Sequence, residues 1–199
     1  GSSQCTKPYS SSIFNISAMS FGALSKNAVL SLGHGAKIGH FAHNTGEGGL
    51  SHHHLNTGAD LIWQIGTGYF SCRDEKGAFD PKKYAKKAQK HQVKMIELKL
   101  SQGAKPGHGG ILPADKNSDE IAKIRGVLAH TRIDSPPTHS AFDTPLGLLA
   151  FIHQLRELSE GKPVGFKLSI GQKSEFIAIC KAIVQSKIYP DFITVDGGE

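Results

Sequence analysis

VKMIELKLSQGAKPGHGG, residues Val93 to Gly110, decides how the rest of the chain is read. Val93, Met95, Ile96, Leu98 and Leu100 place apolar mass on both faces, the pattern of a strand covered on two sides. Glu97 and Lys99 stand two residues apart and therefore share a face. Charges turned into a sheet interior are costly unless they are paired or hold something. The run then breaks into a loop that offers Ser101, Gln102, Lys105 and His108 among Gly103, Gly107, Gly109 and Gly110. Polar groups gathered at the C-terminal end of a parallel strand are how α/β enzymes build active sites. The plainer alternative is a Glu97–Lys99 pair filling the interior beside an ordinary loop.

Working outward, strands alternate with helices. Ile13–Phe21, a short extended piece at His40–His43, Leu61–Ile65, Pro163–Ile170 and Asp191–Val195 read as further strands. Helices are expected from about Ser25 to Lys37 with Ser25 as cap, and from Pro81 to about Lys90 with Asp80 as cap. Others are expected near Ser118–Arg125, Thr144–Leu158 and Ser174–Ser186. In the Thr144–Leu158 helix, Leu148, Leu149, Phe151, Ile152 and Leu155 form one apolar stripe. Six strand candidates, most followed by a helix, point to a parallel α/β fold. A doubly wound sheet fits less well than a (β/α)8 TIM barrel, which takes about 250 residues. The expectation is therefore one domain over residues 1–199, the N-terminal portion of such a barrel with about six βα units and the C-terminal strands absent. Gly1 in place of an initiator methionine agrees with a piece cut from a longer chain.

Hydrophobic residues make up 38% of the 199 and charged residues 20%, which suits one sizeable core and excludes a disordered or fibrous chain. No apolar run approaches the ~20 residues that span a bilayer, and no signal peptide is visible. Cys5, Cys72 and Cys180 lie far apart without CxxC spacing, which argues against a disulfide framework or zinc site and fits a reducing cytoplasm. The net charge of +6 owes much to Lys82, Lys83, Lys86, Lys87 and Lys90. Lys82, Lys86 and Lys90 recur every four residues as one solvated helix face, without the aromatic interleaving of a nucleic-acid surface. His52, His53 and His54 look like a metal-ligand run, but adjacent residues on regular structure cannot all face one ion. They read as a solvated loop, and no metal site is expected.

ISAMSFGALS (Ile16–Ser25), HNTGEGG (His43–Gly49), KLSQGAKPGHGG (Lys99–Gly110), SPPTHS (Ser135–Ser140), GFKLSIG (Gly165–Gly171) and VDGGE (Val195–Glu199) follow one another in order. Together they closely resemble the FMN-binding synthase domain of the glutamate synthase family, nearest to its short single-domain bacterial and archaeal members. The resemblance implies an FMN-containing barrel that makes glutamate from 2-oxoglutarate and ammonia through 2-iminoglutarate, with hydride from reduced FMN. It implies cofactor contacts at Ala18, Met19 and Ser20, whose small side chains suit close approach to the isoalloxazine ring, and at Gln64 on the flavin pyrimidine edge. Lys167 matches a lysine near flavin N1–O2, where a cation stabilises anionic reduced flavin; an inward lysine paired with a carboxylate is the alternative. Asp196, Gly197 and Gly198 would begin the phosphate cup. Lys99, Gln102 and Lys105 are the candidates for a dicarboxylate substrate. Glu47 is the candidate acid–base or ammonia-handling group, against a loop carboxylate that satisfies turn amides. Glu47 and Lys167 are thus the catalytic candidates.

Two departures from the family pattern stand out. The large glutamate synthases carry arginine in a Ser-Gly-Arg-Phe run, where this chain has Thr67-Gly68-Tyr69-Phe70. A phenol in place of a cation weakens the case for the same 2-oxoglutarate clamp. It keeps open another 2-oxo acid, 2-hydroxy acid or imine, or a fragment that binds a phosphate-bearing ligand without turnover. The closely spaced cysteines of the family's iron–sulfur cluster have no counterpart here, and neither does the glutaminase domain. The electron donor is left open between a ferredoxin and an NAD(P)H-linked protein.

Overall fold

The computed structural model describes residues 2–105 and 107–197. In chain order its elements are α1 (Lys26–Gly39), β1 (His43–Asn44), α2 (His52–Asn56), β2 (Leu61–Ile65), α3 (Pro81–Ala88), β3 (Val93–Lys99) and β4 (Ile111–Leu112). These are followed by α4 (Asp119–Arg125), β5 (Ile133–Asp134), α5 (Pro145–Leu158), β6 (Val164–Leu168), α6 (Lys173–Ser186) and β7 (Ile193–Val195). Side-chain oxygens cap the helices where the sequence offers them. Ser25 accepts from Ala28 N–H, Asp80 from Lys82 and Lys83 N–H, Ser118 from Ile121 N–H, and Thr144 from Gly147 N–H.

Five strands form one parallel sheet in the order β1-β2-β3-β6-β7, the order of the chain itself. Gln64 aligns with Glu97, Lys99 with Lys167, and Lys167 with Thr194. Glu97 on β3 accepts hydrogen bonds from Asn44 on β1 and from Thr194 on β7. Each of those strands lies two places away from β3, on opposite sides. Strands sit about 4.8 Å apart, so a flat sheet cannot bring both side chains to one carboxylate. The sheet is curled, a mixed α/β half-barrel compatible with part of a (β/α)8 barrel.

The other face carries the apolar core. Trp63, Ile65, Ile96, Leu98 and Phe166 pack under the α5 stripe of Leu148, Leu149, Phe151, Ile152 and Leu155. Trp63 stacks on Tyr84 of α3 at 5.4 Å between centroids. Lys82, Lys86 and Lys90 are exposed as expected, while Lys87 turns inward and donates to Ser71 O at 2.6 Å.

The structure departs from the sequence expectation in three places. Ile13–Phe21 is not a full strand: Ile16 alone makes a parallel bridge to His43, and Ile13 and Phe14 face solvent. The loop after β3 contains an antiparallel pair, β4 with β5, whose two-residue strands are too short to leave any periodicity. Third, His52–His54 is not a solvated loop. It opens α2, and both His53 and His54 are buried.

The N-terminal segment crosses the end of the sheet where strands begin. Lys7 N–H donates to Gly161 O at 2.9 Å, and Gln4 joins Lys187 O and Tyr189 N–H. Asp191, just before β7, accepts from Ser2 N–H, Val164 N–H and the Arg156 guanidinium. The side chains of Arg156 and Asp191 are each 1% exposed. Burial alone would push the Asp191 carboxyl up, but these hydrogen bonds together hold it below its usual range.

Candidate active site

The floor of the curl is built around one carboxylate. Glu97 accepts from Asn44 Nδ2 at 2.7 Å, Gln64 Nε2 at 2.7 Å and Thr194 Oγ1 at 2.6 Å. A carboxylate only accepts, so the amide nitrogen of Gln64 must face it and Oε1 must point away. That oxygen is buried and has no partner among the described residues. The expected alternative, a Glu97–Lys99 pair, does not form, because each charge finds other partners.

Lys99 lies one layer nearer the strand ends. Its Nζ donates to Glu47 Oε1 at 2.8 Å and to Gln102 Oε1 at 2.6 Å. Glu47 therefore does not serve turn amides. Its loop folds across the end of β2 into a slot that glycine makes. A Cβ on Gly66 would come within 2.8 Å of Glu47 Cβ, and one on Gly110 within 2.7 Å of Glu47 Oε1. Any larger residue at either position displaces the carboxylate.

On the next strand, Lys167 Nζ stands 3.3 Å from Asp196 Oδ1. Asp196 Oδ2 accepts from Gly103 N–H at 2.9 Å, tying the loop after β3 to the end of β7. Lys167 is thus a paired inward lysine, at the same level as Lys99. Gly197 is exposed. Gly198, the remaining phosphate candidate, lies outside the described residues. In the Ala18–Ser20 stretch, Met19 N–H donates to Asn44 O, and Met19 O accepts from His54 Nε2 at 3.0 Å. Both Met19 backbone groups are taken, and Ser20 O accepts from Leu24 N–H, which leaves the Ala18 backbone and the Ser20 N–H and hydroxyl for any ligand. Burial lowers the His54 pKa to about 4, so this histidine is a neutral donor that props the Met19 carbonyl.

A cavity of about 310 Å³ opens over these strand ends, with Ser20, Glu47, Gln102, Lys105, Lys116 and Arg125 in its wall. Lys105 thus lines the cavity, while Lys99 is held beneath it by Glu47 and Gln102. Arg125 was not expected. It ends α4, is 7% exposed, and lays its guanidinium 4.9 Å over the Phe70 ring. Its Nη2 rests against Gly22 and Gly48, where a Cβ would come within 3.0 and 3.1 Å. Among the described residues it has no ion-pair partner, and its Nε is buried without a hydrogen bond. Burial pushes the guanidinium pKa down, and the charge of Glu47 works in the opposite direction. In the sequence, an arginine before Gly126 reads as a cation that complements a helix terminus. Only the packing of α4 turns it into the cavity.

Tyr69 also differs from its expected role. It is fully buried, and its hydroxyl lies 2.9 Å from His139 Nδ1 and accepts from Ala141 N–H. His139 Nε2 bonds Lys99 O at 2.8 Å and must be the donor, so Nδ1 accepts from the phenol. Tyr69 is a core residue bracing the loop of His139 and does not line the cavity. The guanidinium of the cavity comes from Arg125.

A curled parallel sheet with acid, amide and cationic groups converging over its strand ends is the arrangement of an α/β enzyme. A sequence profile described as the conserved region in glutamate synthase matches residues 4–199. The chain is 43% identical over its whole length to the glutamate synthase large subunit-like protein YerD of Bacillus subtilis (strain 168), of which it covers 38%. Over 90% of its length it is 31% identical to the archaeal-type glutamate synthase [NADPH] of Thermotoga sp. (strain RQ2). Over 92% it is 32% identical to the archaeal glutamate synthase [NADPH] of Methanocaldococcus jannaschii, and it covers 32% of each of these two. The chain belongs to the glutamate synthase family, a family of oxidoreductases, and spans about a third of the length of these relatives. No helix among the described residues is long and apolar enough to cross a membrane.

Proposed function

We propose that this chain forms part of an FMN-dependent oxidoreductase of the glutamate synthase type, which aminates 2-oxoglutarate reductively to glutamate. The observation that carries the reading is the cavity with Arg125 buried in its wall and, among the described residues, no anion paired to it. A buried cation is costly until something negative meets it, and a carboxylate of the substrate is suited to do so with two parallel hydrogen bonds. Lys105 and Lys116 supply charge for a second carboxylate. The Tyr69 departure, which favoured another 2-oxo or 2-hydroxy acid, loses weight because Tyr69 stands in the core.

The donor set also suits FMN. Gln64 Oε1 is a buried acceptor held in a fixed direction by Glu97, fit for a ring N–H. Ala18, Ser20 and Lys167 would flank the ring system, with Met19 shaping the wall, and Asp196 and Gly197 would lie toward the phosphate. Bound and reduced, FMN supplies hydride to an imine carbon. The protein's own part is positional and electrostatic. Arg125, Lys105 and Gln102 orient the substrate, and Lys99 fixes one oxygen of Glu47. The other oxygen, without a hydrogen bond among the described residues, is left to exchange a proton with the incoming nitrogen. Ammonia and an electron donor, a ferredoxin or an NAD(P)H-linked protein, complete the reaction.

We further propose that the curled sheet is part of a (β/α)8 barrel, with another strand pairing on β7, where Ile193 and Val195 are exposed. The full-length protein should purify with flavin absorbance and, given a reductant, 2-oxoglutarate and ammonium, should form glutamate. Protein that retains no flavin rejects the cofactor. Flavin that reoxidises without glutamate appearing rejects the substrate.

A further inference from the structure

We infer that His52, His53 and Glu120 form a binding site for a divalent transition metal of the zinc class, clasping α2 to α4. The ring Nε2 of His53 lies 2.8 Å from Glu120 Oε1, and that of His52 lies 3.1 Å from the same oxygen. The three ligand atoms all fall within 4.8 Å of one another. Tetrahedral coordination with metal–ligand bonds of about 2.0–2.2 Å sets ligand atoms roughly 3.3 Å apart, so the two contacts to Glu120 need lengthen only by tenths of an ångström, and the two imidazole nitrogens start within 4.8 Å of each other.

Adjacent histidines converge here because α2 is a single short helix that leaves their rings 3.9 Å apart and tilted by 46°. The third histidine obeys the limit that regular structure imposes. His54 is turned away, with Nδ1 on Ser51 Oγ and Nε2 on Met19 O. A hydrogen bond to Glu120 accounts for His53, whose side chain is 4% exposed. It does not account for His52, half exposed and free to reach water, turning to the same carboxylate oxygen. Two imidazoles and one carboxylate are a donor set that zinc and its neighbours accept, with water completing the sphere. The exposed sides of His52 and Glu120 leave the ion a path in.

The placement gives the clasp its consequence. The loop ahead of α2 carries Glu47, and α4 carries Arg125 at its far end. A metal between the two helices ties together two segments that line the cavity, the Glu47 loop and the Arg125 end of α4, without touching the cavity itself. The proposal does not depend on what the cavity binds.

The test uses full-length protein stripped with a chelator and titrated with Zn²⁺ in competition with a chromogenic chelator, and with Co²⁺ for its ligand-field bands. One equivalent should bind, with cobalt bands of tetrahedral intensity, and Zn²⁺ should raise the melting temperature. His52→Asn and Glu120→Gln should each weaken Zn²⁺ at least tenfold and abolish the rise. Both side chains are half exposed, so the metal-free variants should melt as the metal-free parent does. Failure of the parent to bind one equivalent, or binding as tight in both variants as in the parent, overturns the site. Binding without any rise in melting temperature overturns the clasp.

Discussion

Two buried charges within one sheet and its rim are treated in opposite ways. Glu97, on the floor, is surrounded by three neutral donors from three other strands, and its hydrogen-bonding demand is met inside the protein. Arg125, in the cavity wall, is nearly as buried and has no anion to meet it among the described residues. The first arrangement stabilises the fold; the second, on the proposed function, leaves a charge for a ligand to meet. The difference predicts that substitutions on the floor are read in denaturation curves, and substitutions in the wall in substrate dependence.

The floor should give the largest effect. Glu97→Ala strands three donors, each costing about 1–3 kcal/mol when left unsatisfied, and should move the urea midpoint strongly. A loss no greater than the roughly 0.5 kcal/mol of a surface change would break the comparison at its first term. Asp191→Asn should cost about 3 kcal/mol or more at neutral pH, because it leaves Arg156 buried and uncompensated. The Asp191 pKa is lowered by folding, so its contribution is fully present above the unfolded value near ~3.9 and is lost as pH falls through the folded one. Denaturation curves of parent and Asp191→Asn should therefore converge only in acid below about pH 4. Convergence already at neutral pH would contradict the sign of the shift.

The wall should behave otherwise. Arg125→Leu removes a cation that has no ion-pair partner among the described residues, so the melting temperature should hold or rise. The apparent KM for the 2-oxo acid should rise tenfold or more, the loss of a charge-assisted bond worth about 1.5–3 kcal/mol. A destabilised variant with unchanged KM would make Arg125 a structural residue and erase the contrast. Tyr69→Phe should have the smallest effect. It deletes the hydroxyl between His139 and Ala141, at about 1 kcal/mol of stability, and should leave KM alone. A raised KM in that variant would return Tyr69 to the substrate.

What the sequence made legible follows from how local each signal is. The alternating strands and helices, the caps at Ser25 and Asp80, and the α5 stripe are written within a few residues, and the structure agrees with them. Glu47, Lys99, Gln102 and Lys105 could be named because they stand in the motifs that carry the family resemblance; Glu47, Gln102 and Lys105 line the cavity, and Lys99 lies beneath it. The roles of Arg125 and Tyr69 were not legible. Each is set by the direction in which one segment packs on another, and neither side chain carries a local mark of it. The buried histidines of α2 were hidden for the same reason: a polar run shows no apolar period even when a neighbouring helix covers it.

The N-terminal segment has a kinetic consequence. Gln4 and Lys7 meet partners more than 150 positions along the chain, at Lys187 and Gly161, and Ser2 meets Asp191. Contacts so distant in sequence form only after the chain between them has ordered, since loop closure must precede any return from them. The neighbouring β2–β3 pairing needs far less chain to close. This strap is therefore the last seam to shut and the first to part. Its hydrogen bonds act chiefly as a brake on unfolding and hardly influence how quickly the sheet assembles.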